Sequence, residues 1–160
     1  MNKKLKAEKG VLIIEVLIVI TLIATVLTSL LGAAGFSLKI LNSVKQTNRA
    51  NFLAQETIEA VRSFRNETDW SVDGLEALTT DIEYYVQKSG SPSKWVMVEG
   101  VETISEFTRK VIFEDVMRDL NDNIVESGGV NNADTKKARV IVSWGDQNIE
   151  IATYFTNWRQ

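Results

Sequence analysis

The chain has no cysteine and no histidine. Without thiols there is no disulfide, no thiolate nucleophile and no four-cysteine zinc site. Without imidazole there is no histidine-based triad and no histidine metal ligand. Most hydrolase, redox and zinc-enzyme chemistries fall with those two absences, and the residues point to no catalytic group, no cofactor and no metal. Excess positive charge is also missing. The formal net charge is −3, which disfavours direct binding to a nucleic-acid phosphate backbone. What is present is ordinary: 160 residues, 44% hydrophobic and 24% charged. That is globular material, neither disordered nor low in complexity, and its length suits one domain.

The averages conceal an asymmetry. Residues 1–10, MNKKLKAEKG, set Lys3, Lys4, Lys6 and Lys9 against one acid, Glu8, a net of +3. The remaining 150 residues therefore carry −6 of the chain's −3 total. From Val11 to Phe36 a single charged residue occurs, Glu15. As a helix rising about 1.5 Å per residue, that run reaches ~39 Å, more than the roughly 30 Å of a bilayer's hydrocarbon core. The run is too long for the 7–15-residue apolar core typical of a secretory signal peptide, although Gly32, Ala33 and Ala34 mimic a small-residue cleavage site. A membrane anchor fits better, with the lysines holding the start in the cytoplasm and the acidic body on the far side. Two residues go beyond a plain anchor. Gly10 marks the junction of leader and apolar run, and Glu15 stands five residues after it. A carboxylate central in a membrane helix costs on the order of 2.5–3.5 kcal/mol; near the end it costs less, because it reaches the interface.

The segment KG-VLIIEVLIVITLIATVL resembles the N-terminal signal of type IV pilins and of type II secretion pseudopilins. The resemblance covers about 30 residues. It implies that a membrane aspartic peptidase cuts after Gly10, that Val11 becomes the N-methylated first residue, and that Glu15 is the family's fifth-position glutamate. Two positions differ from the common pattern: Val11 stands where Phe or Met is usual, and Gly32 lies in a run that often holds a helix-bending proline. The implied partners are other pilin subunits, the prepilin peptidase, the membrane and the assembly machinery. The phrases LAQETIEAVRSFRNETDW and TYFTNW further along resemble minor-pilin-like proteins more loosely and assign no functional residue.

Cutting after Gly10 would place an ammonium group at the head of an apolar helix. In a bundle of such helices a carboxylate five positions along neutralises that charge on a neighbour. Opposite charges about 4 Å apart attract by ~4 kcal/mol at an effective dielectric of 20. That offsets part of the desolvation cost, so the pair selects a stagger between helices more than it adds stability. A second pattern runs beside it. Thr21, Thr25, Thr28, Gly32 and Gly35 are spaced by four, three, four and three, and so share one helix face. Small and hydroxyl residues let helix backbones approach closely in apolar surroundings. The stripe suits packing in a filament core, dimerisation of an anchor, or a bland membrane helix equally.

No proline interrupts residues 36–65, and Ile40, Val44, Thr47, Ala54, Ile58 and Val61 fall at helical spacing. One helix is expected from about residue 12 to 65. Its stripe should bury against the C-terminal part, with a break at Asn66 to Asp69. Beyond a mixed stretch from Trp70 and a loop at Ser89–Ser93, strand signals dominate. Lys94–Glu99, Phe107–Val116, Ala138–Trp144 and Asn148–Phe155 read as strands. Ile124–Glu126 reads as a short return and residues 127–134 as a loop. Gly145-Asp146 is a two-residue hairpin signal. The expected class is α+β. Its parts are a leader (1–10), a transmembrane or filament-core helix (11–36), its amphipathic continuation (37–66), and a β-rich domain (67–160) with four or five antiparallel strands.

Other candidate sites are weak. Asp119, Asn121 and Asn123 alternate as in a calcium loop, but Ile124 replaces its glycine and Val130 its bidentate acid. Asn131, Asn132 and Asp134 form a further oxygen-rich loop. Glu114 and Asp115 should point to opposite faces of a strand and form no catalytic pair. Trp70, Trp95, Trp144 and Trp158 read as core or sheet packing before they read as a sugar platform. Asn66-Glu67-Thr68 matches a glycosylation sequon. The expectation is a structural subunit and not an enzyme, held in the cytoplasmic membrane before assembly and in an extracytoplasmic filament afterwards. A pseudopilin of a secretion or DNA-uptake system is the alternative within the class. An uncut single-pass protein with a small extracytoplasmic binding domain is the alternative outside it.

Overall fold

The computed structural model describes residues 3–158, with side chains from Leu12 onward. It is an α+β fold: one long helix, α1 (Lys3–Glu67), followed by seven strands, β1 (Glu83–Ser89), β2 (Lys94–Glu99), β3 (Glu102–Ile104), β4 (Phe107–Arg118), β5 (Ile124–Val125), β6 (Val130–Trp144) and β7 (Gln147–Thr156). The chain divides into two compact units, residues 1–46 and 47–160.

The first unit is helix alone. Gly32 and Gly35 do not break it, because each costs only about 1 kcal/mol relative to alanine and the helix closes its own hydrogen bonds around them.

The second unit holds the rest of α1 and the sheet. Ala50, Leu53, Ala54, Thr57, Ala60, Val61 and Phe64 are buried on one face of the helix, spaced by threes and fours. They join Tyr84 and Val86 of β1, Phe107, Val111 and Phe113 of β4, Ala138, Val140, Val142 and Trp144 of β6, and Phe155 of β7 in one core. Three alanines on the helix let its backbone lie close to the sheet. Thr57 is buried yet satisfied, because its hydroxyl donates to the Leu53 carbonyl at 2.8 Å. The expected stripe is therefore correct at Ala54 and Val61 but displaced at its upper end. Ile40 and Val44 remain exposed, and the covered face begins at Ala50. The helix ends where Thr68 turns its amide and hydroxyl back to the Phe64 carbonyl. Asp69 then accepts from the amides of Ser71 and Val72 and turns the chain.

The sheet is antiparallel in the order β2-β1-β4-β6-β7, with β3 and β5 also pairing β4. Inward positions of β4 and β6 alternate with half-exposed ones, as expected of a sheet with one wet face. The β6–β7 hairpin closes at Trp144–Gln147 across Gly145-Asp146. Gly145 takes φ 51° while Asp146 keeps a negative φ, the II′ arrangement that glycine favours at the first loop position. Residues 127–134 are not simply a loop: β6 already starts at Val130. A register shift between Asp115 and Val116 lets Val130, Asn131 and Asn132 pair with Arg118, Met117 and Val116. The backbone is drawn in closely there, since a Cβ on Gly129 would lie 2.6 Å from the Arg118 carbonyl oxygen. β1 and β3 are strands that the sequence pattern did not reveal.

Arg109 ties helix to sheet. Its side chain is 6% exposed and reaches Glu56 of α1 at 2.9 Å and Glu102 of β3 at 2.5 Å. Removing one member of such a set strands charge, so the set dictates how helix and β3 must lie.

Because the second unit owns its core, a fragment of residues 47–160 is expected to be soluble and to melt in one cooperative transition. Phe113 is fully buried at its centre, and Phe113→Ala should destabilise that fragment by about 3–5 kcal/mol in denaturant titrations. Aggregation of the parent fragment without a melting transition would mean that the sheet needs further chain to fold.

Candidate functional site

The surface that sets this chain apart is the first part of α1. All nineteen large apolar side chains from Leu12 to Val44 are exposed, by 46–72%. The helix is long and apolar enough to cross a membrane. Within it the backbone is self-satisfied, as any segment placed in hydrocarbon must be.

The hydroxyls on this helix are satisfied as well. Thr21 donates to the carbonyls of Leu17 and Ile18, Thr25 to Thr21, and Thr28 to Ala24 and Thr25, at 2.7–3.1 Å. Ser29 adds a bond to the Thr25 carbonyl at 2.8 Å; it was not singled out in the sequence because it lies beside the stripe. At about 100° per residue, Thr21, Thr25, Thr28, Gly32 and Gly35 fall within roughly 40° of one line along the helix. A Cβ placed on Gly32 or Gly35 would meet nothing within 4 Å. The stripe is thus smooth, with its hydroxyl protons already committed within the helix, and open to another backbone. Glu15 stands on the same helix but about 120° around from Thr21. A partner helix seated on the stripe would therefore leave Glu15 to another neighbour. The structure does not bring Glu15 and the stripe together. Gly10 and Val11 lie outside the residues whose side chains are described.

The other candidates resolve into structure. Asp119 is the acceptor of a turn: its carboxylate takes the amides of Asn121 and Asn123 at 2.8 and 2.9 Å and the Asn123 side chain besides. Those hydrogen bonds hold its pKa below the ordinary range. No group of three or more Asp and Glu residues suited to a metal occurs among the described residues. Trp70, Trp95 and Trp144 pack in or against the core, and the Trp70 indole donates to the Ala133 carbonyl at 3.0 Å. Trp158 is 63% exposed and lies 5.2 Å from the Arg65 guanidinium. Together with Thr68, Asp69, Ser71 and Asn157 these two residues line a polar cleft of about 360 Å³.

Glu114 and Asp115 point apart as expected. Asp115 pairs with Lys136 at 2.5 Å. On the other face Glu114 meets Lys137 at 2.9 Å and Arg139 at 2.8 Å. Arg139 also approaches Glu150 at 3.7 Å. This row of charges spans β4, β6 and β7 on the wet face of the sheet and is a cross-strand support.

No family model matches the chain, and neither the curated proteins nor the solved structures yield a match.

The hydrogen bond from Lys137, assisted by Arg139, holds the Glu114 carboxyl below its ordinary 4.5, and the same bond raises Lys137 above 10.5. A depressed carboxylate contributes stability above its unfolded pKa and loses it as pH falls through the folded value. A raised lysine contributes below its unfolded pKa and loses it as pH rises through the folded value. The 47–160 fragment should therefore hold its stability across neutral pH and lose part of it on acidification. Glu114→Gln should lower the melting temperature at about pH 6, and the difference from the parent should narrow as the pH falls below Glu114's ordinary 4.5. A melting difference that stays constant over that range would show that the pair does not supply the slope.

Proposed function

We propose that this chain is the structural subunit of a type IV pilus-like filament. It is made as a prepilin, cut after Gly10, methylated at Val11, and assembled through the apolar part of α1. In this reading it is the substrate of a membrane peptidase and catalyses nothing itself. The observation that carries the reading is one helix with two opposite fates. Up to Val44 its apolar side chains stand exposed, and from Ala50 it is covered by its own sheet. A subunit of this kind waits in the membrane with its helix in lipid, then exchanges lipid for the helices of other subunits, while the folded second unit stays outside.

Glu15 gives the assembly its register. It is a lone carboxylate one turn into an otherwise uncharged run, and a new ammonium at Val11 is a fitting partner. Residues 11 and 15 also lie one turn apart on the same helix. A pair within one helix would leave assembly indifferent to Glu15. A pair across two helices makes Glu15 the determinant of their stagger.

Intact-mass measurement on the membrane-purified protein should find a chain that begins at Val11 and is one methyl group heavier than its sequence. A chain still beginning at Met1 in cells that hold the peptidase would exclude the filament reading and leave an uncut single-pass protein.

Glu15→Leu makes the span more apolar and leaves the leader and Gly10 untouched. The variant should therefore insert in the membrane and be cut as usual, yet enter filaments poorly. The comparison is between cleaved protein in membranes and protein in sheared filaments, variant against parent. Equal recruitment of the two would refute the register role.

A further inference from the structure

Charge is spaced along α1 in a way that apolar surface alone does not require. Glu15 and Lys39 are consecutive charges, with none between them. At about 1.5 Å per residue, positions 15 and 39 lie ~36 Å apart along a helix axis. That is more than the roughly 30 Å of a bilayer's hydrocarbon and less than the roughly 40–45 Å of the whole bilayer. A tilt of about 20° shortens the projection only to ~34 Å. In a helix that spans, the two charges therefore fall in the polar layers on opposite sides. Lys45 and Arg49 follow Lys39, and no acid occurs from residue 16 to residue 55.

Lys39, Lys45 and Arg49 are all exposed. Among the described residues no carboxylate lies within ion-pair distance of any of them, whereas Arg109, Lys110, Lys136 and Lys137 in the sheet each have one. The two lysines are set among Leu38, Ile40, Leu41 and Val44, which are 46–62% exposed. Apolar stems and leucines below a charged tip suit the boundary between acyl chains and headgroups. Helix side chains lean towards the N-terminus, which here directs both ammonium groups back towards the apolar run.

We infer that Lys39 and Lys45 bind anionic phospholipid headgroups in the leaflet on their side of the membrane. Length and charge complementarity select this occupant. The interval from Glu15 places Lys39 in the phosphate layer. Lys45 lies ~9 Å further along the axis, and its flexible stem recovers part of that distance. Arg49 is ~15 Å past Lys39, beyond the roughly 8 Å over which charges act at physiological salt, and takes no part. A second copy is a poorer occupant. Parallel in the same membrane, its α1 offers no carboxylate at that height, because residues 16–55 hold none. At equal height it sets lysine against lysine. The inference rests on α1 spanning a membrane and not on cleavage or on the filament reading.

The chain's lack of cysteine allows a single fluorophore to be attached through Asn42→Cys, an exposed position three residues from each lysine. The full-length chain is reconstituted in vesicles of phosphatidylcholine and phosphatidylglycerol, with a spin label high on the acyl chain of one lipid or the other. Both leaflets have the same composition, so the direction of insertion does not affect the reading. Spin-labelled phosphatidylglycerol should quench the fluorophore several-fold more than spin-labelled phosphatidylcholine. Lys39→Gln with Lys45→Gln should make the two lipids equal. High salt should narrow the difference, and Arg49→Gln should leave it unchanged. Equal quenching in the parent, or a preference that survives the double lysine variant, would overturn the inference. So would a fluorophore that neither lipid quenches until the protein is diluted in lipid, which would put a second copy on this segment. Alkaline extraction of the same vesicles separates the lipid site from the span. Protein that is extracted has no spanning helix, and both readings fall. Retained protein with equal quenching keeps the span and removes the lipid site.

Discussion

The chain is governed by a surface it does not cover. From Leu12 to Val44 the helix presents apolar side chains on all sides. Monomeric soluble proteins rarely expose contiguous apolar patches beyond a few hundred Å², roughly. Such a helix is stable only where its surroundings are apolar, and lipid tails or other helices meet that requirement. The backbone is prepared for both, because an α-helix satisfies its amides and carbonyls internally and the threonine hydroxyls return their protons to carbonyls three or four residues back. Nothing polar on the stripe calls for a partner by hydrogen bonding. Association through it must come from close packing, which Gly32 and Gly35 permit.

The second unit answers the opposite problem. It folds while joined to a helix that is long and apolar enough to cross a membrane. Its stripe narrows to small residues, with Ala50, Ala54 and Ala60 against the sheet and Leu53, Val61 and Phe64 filling the gaps. Burying each of the larger side chains contributes about 1.5–3 kcal/mol. Arg109, held between Glu56 and Glu102, adds direction where apolar contact has none. A helix sliding by one turn would keep much of its hydrophobic contact and lose this ion set. The charge row on the wet face has a different role. Glu114 sits opposite Lys137 and meets Arg139 diagonally, Arg139 in turn reaches Glu150 diagonally, and this alternation of sign across three strands supports the pairing register at a surface where little is buried.

Long-period features were legible in the sequence and short, context-dependent ones were not. The helix was plain because its apolar run and the later stripe need no tertiary context. Lys94–Glu99 and the Gly145-Asp146 hairpin were plain because alternation and turn chemistry agree there. β1 was hidden in a stretch whose alternation is broken by Gln87 and Lys88, and β3 is only three residues long. Val130 to Asn132 read as loop because asparagine disfavours strands; the register shift opposite Asp115 overrides that preference. Ile40 and Val44 keep helical spacing with the covered residues, so the sequence pattern extends the stripe beyond the face that is buried. Periodicity marks a shared face and cannot say whether anything lies against it. The small-residue stripe and Glu15 were both visible as patterns, but their separation by about 120° around the helix follows only from the angular period. In the proposed filament that separation would give the two features different neighbours.

The two open surfaces differ in kind. The helix face is smooth and non-directional; in the proposed filament Glu15 would supply the positional information that leucines and isoleucines cannot. The β7 edge is the reverse. Its outward amides and carbonyls are directional at every second residue, so hydrogen bonding alone fixes spacing along the strand. A like charge or a missing partner costs more than a small loss of burial, so sparse charge is an efficient way to set register.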